Sequence, residues 1–139
     1  MAVKIIAVAK QLPKYHRETK EIIPFVKLWM QGQEKRFQRK VVKLFEGAGV
    51  DKRYSIMDPE EVFSATSFEE KNDIYTREVI QLAEQSLTKS LEKVGLEANQ
   101  IDYIITVSCT GIMIPSVDAY LINSLGMKQD IVRLPVTEM

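Results

Sequence analysis

A hydroxyl, a thiol, a second hydroxyl and a glycine follow one another at Ser108-Cys109-Thr110-Gly111. They come directly after Ile101–Val107 (IDYIITV), an apolar stretch that reads as a strand buried on both faces. In open parallel sheets, ligands gather beyond the carboxyl ends of the strands. This turn is therefore where a pocket wall or a nucleophile would stand. A nucleophilic cysteine needs a base or another activating group beside it. The chain has one cysteine, Cys109, and one histidine, His16. His16 lies in the polar stretch Lys14-Tyr15-His16-Arg17, with no evident link to Cys109. A Cys/His dyad within the chain is not expected, and a buried small thiol is the commoner state of a free cysteine. The same counts exclude an intrachain disulfide and a Cys/His zinc cluster, so no metal is expected.

The second candidate is basic. On a helical wheel Arg36, Lys40 and Lys43 fall in one stripe, with Arg39 beside them. Phe37, Val41, Leu44 and Phe45 cluster on the adjacent face and are expected to pack. Such a stripe can grip the phosphates of an anionic ligand through charge-assisted hydrogen bonds. Charge along a helix is, however, more commonly a solvated face. Glu69, Glu70 and Asp73 form an acidic group that helix capping and the helix dipole explain. Met30, Met57, Met113 and Met127 share no period and read as packing.

The elements that must position these residues follow from pattern. Val3–Ala9 (VKIIAVA) predicts another buried strand. Thr19 is placed to cap a helix over 20–30, with Pro24 near its first turn, and a second helix runs over 34–46 to Gly47-Ala48-Gly49. Residues 50–57 read as extended, and Asp58-Pro59 as a turn or loop. Ser67-Phe68-Glu69-Glu70 fits a capping box. Phe68, Tyr75, Val79, Leu82, Ala83, Leu87, Leu91 and Val94 then recur at helical spacing up to Gly95. A further helix runs from Pro115 or Ser116 to Gly126, and Ile131–Val136 predicts a third strand, weakened by Pro135. Buried strands alternating with helices give an α/β layered fold. The last strand has no following helix to cover it, which suggests a fragment.

Composition bounds the function. The 139 residues carry 19 Lys plus Arg against 19 Asp plus Glu, with 45% apolar and 27% charged residues, the mix of one folded domain. Zero net charge gives no global drive toward nucleic acid or an anionic membrane. No apolar run approaches the roughly 18 residues of a membrane span, and the N-terminus does not fit a signal peptide. The expectation is a cytoplasmic protein with neither nucleic acid nor membrane as partner.

Several segments resemble one family. Ser108–Asp118 (SCTGIMIPSVD), Leu121–Met127 (LINSLGM) and Val132–Met139 (VRLPVTEM) are similar to type III polyketide synthases, the chalcone and stilbene synthase-like enzymes, and most of all to their bacterial branch. Ser67–Asn72 (SFEEKN) and Gly49–Tyr54 (GVDKRY) fit the same family. The resemblance covers residues 1–139. It implies the thiolase-like α/β fold, of which this chain would be a partial first half, and a homodimer. It also implies an acyltransferase that loads an acyl-coenzyme A starter and condenses malonyl-coenzyme A units onto it. The coenzyme A thioesters are substrates, and no separate cofactor is implied.

The resemblance also assigns residues. The family's catalytic set is Cys, His and Asn, and its nucleophilic Cys is expected in a Gly-Cys pair just after a segment like Val136–Met139. No catalytic residue is therefore expected in these residues, and the chain alone is expected to be inactive. Cys109 matches a position lining the active-site cavity, with Thr110 beside it. Ile114 matches a residue, usually Met, that reaches across the dimer interface into the partner's cavity. Lys40 and Lys43 match two basic positions contacting coenzyme A phosphates, and the third falls on Gly47. Two alternatives stay open: a non-catalytic binding or dimerisation module, and part of a β-ketoacyl synthase III-like condensing enzyme.

Overall fold

The computed structural model describes residues 2–64 and 67–137. The chain divides into two units, Leu12–Thr66 and Met1–Gln11 with Ser67–Met139.

In the unit Leu12–Thr66, β1 (Tyr15–Glu18) pairs antiparallel with β2 (Lys52–Ser55). Between them lie α1 (Thr19–Trp29) and α2 (Lys35–Gly47), and α3 (Pro59–Val62) follows β2. The core is a stripe of α1, Ile22 and Val26, continued by its C-cap Met30, against which Val41, Val42, Phe45 and Phe63 pack. Thr19 does not cap α1. The cap is Glu18, whose N–H donates to Glu21 Oε2 at 2.9 Å. Thr19 is buried, donates its N–H to the Asp51 carbonyl at 2.8 Å and hydrogen-bonds the Val50 carbonyl through its hydroxyl. Pro24 sits inside α1 rather than at its first turn. Asp58-Pro59 opens the short α3, with Asp58 as N-cap, and does not form a plain turn. β1 occupies the stretch read as a polar loop. Its residues are almost all exposed, so it lacks the apolar alternation by which strands are recognised.

The unit Met1–Gln11 with Ser67–Met139 is built on α4 (Phe68–Val94), as the periodicity predicts. Glu70 N–H donates to Ser67 Oγ at 3.1 Å, and Ser67 N–H to Glu70 Oε2 at 2.9 Å, which completes the capping box. Gly95, at φ 67°, closes the helix in the left-handed conformation that glycine adopts without steric cost. β3 (Tyr103–Ser108) and β4 (Val132–Thr137) pair in parallel, Tyr103 opposite Val132 and Ser108 opposite Thr137, and α5 (Val117–Ser124) is the crossover between them. Ile104, Val117, Leu121, Ile122, Met127 and Ile131 form the core, with Val79, Ile80, Ala83 and Leu87 of α4 packed on it.

Two expectations fail here for the same reason. β3 and β4 are not buried on both faces. Ile104 faces the core, while Tyr103, Ile105, Val107, Val132 and Leu134, on the opposite face, are exposed. The second apolar run is not a strand at all, since residues 2–10 have no regular secondary structure. Lys93 Nζ donates to the Val8 carbonyl at 2.7 Å, Ser86 Oγ to the Ala9 carbonyl at 3.5 Å, and Lys89 to Gln11. Val3, Ile5, Ile6 and Val8 stay exposed. Apolar, β-branched composition supplies strand propensity, but only a neighbouring ladder makes a strand. Glu138 and Met139, the end of the VRLPVTEM segment, lie outside the described residues.

Candidate functional site

The turn after β3 is held from α4. Tyr75, on the inward side of that helix, places its hydroxyl 2.5 Å from Ser108 Oγ. Ser108 Oγ in turn donates to the Thr110 carbonyl at 2.9 Å. The Tyr75 ring leaves no room for a side chain at position 111: a Cβ built there would lie 2.2 Å from the ring. Gly111, at φ 71°, is thus required both by its backbone and by the close approach. One turn earlier, Asn72 Nδ2 donates to the Ile112 carbonyl at 2.9 Å, and Ile112 N–H donates to Asn72 Oδ1 at 2.7 Å.

Between these attachments Cys109 and Thr110 are exposed, with the Cys109 thiol 4.0 Å from Thr110 Oγ1. No imidazole or carboxylate hydrogen-bonds Cys109 among the described residues. His16 lies on β1, its ring 5.8 Å from that of Tyr54. Cys109 is therefore not the buried thiol that composition favours, and nothing bonded to it would activate it as a nucleophile. Ile114 is 93% exposed. A small cavity behind the turn is lined by the hydroxyl-bearing Tyr75, Thr106, Ser108, Ser116 and Thr137 together with apolar residues such as Met113 and Val117.

A charged pair braces the same region. Asp118, at the first turn of α5, is fully buried. Its carboxylate accepts from Arg133 Nε at 2.5 Å, from the Ser116 hydroxyl and from Thr106 Oγ1 at 3.4 Å. Burial alone would raise the Asp118 carboxyl, but the bonds from Arg133 and Ser116 outweigh it and hold it below the usual aspartate range. Asp118 ties the start of α5 to β3 and β4. Its sequence signal was a single acid in the otherwise apolar run Val117–Ile122, and Asn72 had one only as part of the family-like SFEEKN segment.

In the other unit, α2 carries the basic stripe. Arg36, Arg39, Lys40 and Lys43 are all exposed, as a ligand-gripping or a solvated face would be. The packed face of α2 is Val41, Val42 and Phe45. Phe37 and Leu44, expected to pack, are 49% and 70% exposed. They lie three residues before and four after Lys40, so the outward side of α2 is mixed apolar and basic. Among the described residues no helix is long and apolar enough to cross a membrane, and no His, Cys, Asp or Glu group could hold a metal ion.

The family model described as chalcone and stilbene synthases, N-terminal domain, matches residues 2–139. The chain belongs to this family. The 1,3,6,8-tetrahydroxynaphthalene synthase of Streptomyces coelicolor is 34% identical over 98 residues, 70% of this chain and 26% of that protein. Phloroglucinol synthase of Pseudomonas fluorescens is 30% identical over 97 residues, 70% of this chain and 28% of that protein. The crystal structure of the Streptomyces coelicolor synthase, a bacterial type III polyketide synthase, superimposes with a TM-score of 0.82 at 27% identity, covering 94% of this chain and 37% of that one. CsyB complexed with CoA-SH shares the fold, with a TM-score of 0.78 at 18% identity over 95% of this chain and 36% of that one. The fold is accordingly the thiolase-like α/β fold of these synthases, in its N-terminal part. The chain spans about a quarter of the length of the curated relatives it matches.

Proposed function

We propose that these residues are the N-terminal part of a type III polyketide synthase that condenses malonyl-coenzyme A onto an acyl-coenzyme A starter. The observation that carries the reading is the family match over residues 2–139 together with the superposition on the bacterial synthase. In such a reaction malonyl-coenzyme A loses carbon dioxide. The resulting enolate carbon attacks the acyl thioester, a carbon–carbon bond forms, and the thiolate leaves. The Cys, His and Asn that the family uses for these steps belong, in this reading, to sequence beyond residue 139. What these residues supply is the wall and the grip. Cys109, Thr110 and Ile114 line the cavity, Ile114 in a partner copy's, and the working protein is a cytoplasmic homodimer that needs no further cofactor.

Lys40 and Lys43 hold the coenzyme A phosphates. They stand one turn apart on an exposed helix face, so both ammonium groups can reach one polyphosphate. Phe37 and Leu44 beside them offer apolar surface to the rest of the ligand. Titration calorimetry of coenzyme A into the full gene product tests this grip. A Lys40→Ala, Lys43→Ala double variant is expected to bind about ten- to a hundredfold more weakly. Equal affinity in both proteins would remove the assignment.

A further inference from the structure

We infer that Asn72 and Tyr75 are positioning residues that fix where Cys109 and Thr110 stand in the cavity wall; the inference rests on the synthase reading above. The segment from Cys109 to Ile112 follows Ser108, the last residue of β3, and has no ladder or helix of its own. Fixing such backbone costs about 1–2 kcal/mol per residue, so it keeps one shape only if something outside it holds it. Two residues one turn apart on α4 do so. The Asn72 carboxamide gives Ile112 both bonds that a neighbouring strand would give, one to its N–H and one from Nδ2 to its carbonyl.

Tyr75 holds the other end. The Ser108 hydroxyl has a single proton, and it goes to the Thr110 carbonyl, so the phenol is the donor in the Tyr75–Ser108 bond. The phenol ring also fills the space beside Gly111, which stops the turn from collapsing onto the helix. Cys109 and Thr110 lie between the two tethers, exposed and yet fixed in direction. Neither Asn72 nor Tyr75 needs to touch substrate. Their effect on it passes through the two residues they aim.

A merely structural role would change stability and leave selectivity alone. The test therefore compares the full gene product with Asn72→Ala and with the milder Tyr75→Phe, which keeps the ring against Gly111 and removes only the donor. Hydrogen–deuterium exchange reports the clamp. Exchange at residues 108–112 is expected to rise about tenfold, the equivalent of one lost hydrogen bond, with the rest of the chain unchanged. Kinetics report its role. The ratio of kcat/KM for a short over a long acyl-coenzyme A starter is expected to move by about threefold or more, while malonyl-coenzyme A decarboxylation without starter stays within about twofold. Unchanged exchange in both variants would overturn the clamp. Faster exchange with an unchanged starter ratio would leave only a structural role and overturn the inference. A wild-type protein that neither decarboxylates nor condenses malonyl-coenzyme A would instead overturn the synthase reading, and the role in the reaction with it.

Discussion

Asp118 shows how much one residue can organise. A carboxylate removed from water is costly unless paired and hydrogen-bonded, and here Arg133, Ser116 and Thr106 all bond it. The folded carboxyl lies below the ordinary value, about 3.9 in an unfolded chain. Its stabilisation is therefore complete above about pH 4 and is lost as pH falls through the lowered folded value. Asp118→Asn is expected to cost about 2 kcal/mol at neutral pH, less than for a fully buried pair because Arg133 is partly exposed. In urea titrations the gap between variant and wild type should close as the solution is made more acid. A gap independent of pH would show that packing, not charge, is what Asp118 supplies. At this scale the sequence was least legible. Cys109 stood out through its type, whereas Asn72 and Tyr75 act on residues 40 and 33 positions away, and Asp118 and Arg133 on each other across 15, which no local pattern shows.

At the scale of elements, α4 was the most legible, because three independent local signals agree on it. A capping box opens it, apolar residues recur along it, and a left-handed glycine ends it. Ser67→Ala removes the oxygen that receives the Glu70 N–H and is expected to cost about 1 kcal/mol in thermal or chemical unfolding. A change near zero would mean that tertiary packing alone fixes the start of α4. The strands were legible in type but not in burial. Ile105, Val107 and Leu134 carry the apolar composition of a doubly covered sheet, and covering on both faces was inferred from it. In the structure only the face bearing Ile104 is covered, by α5 and the end of the loop at Ile131. Val3–Ala9 repeats the lesson: its composition is that of a strand, and its carbonyls meet helix side chains instead of a ladder. Composition records what a segment can pair with, and pairing needs the partner. Tyr15–Glu18 is the converse case, a strand made by its pairing with Lys52–Ser55 despite polar composition.

For the molecule as a whole, the exposed face of β3 and β4 sets its behaviour in isolation. Tyr103, Ile105, Val107, Val132 and Leu134 form a contiguous apolar surface, and Val3, Ile5, Ile6 and Val8 are further exposed apolar residues. Surfaces of this kind associate. The 139-residue chain expressed alone is expected to self-associate and to bind an apolar dye, and Ile105→Lys with Leu134→Lys to reduce both. A monodisperse wild-type chain would contradict that expectation and favour the binding-module alternative. The family was legible from the resemblance of the SCTGIMIPSVD and VRLPVTEM segments, and the first of these contains Gly111, where the Tyr75 ring leaves no room for a side chain. Lys40, Lys43, Cys109, Thr110 and Ile114, the residues proposed to meet a ligand or a partner, are all exposed.

The most direct test of the account is to purify the full gene product from its source, measure its intact mass, and incubate it with malonyl-coenzyme A and an acyl-coenzyme A starter. The account predicts a mass more than about twice that of the 139-residue chain, since the chain is about a quarter of its relatives' length, together with carbon dioxide release and a condensed polyketide. A product of 15.9 kDa that consumes no malonyl-coenzyme A would contradict it.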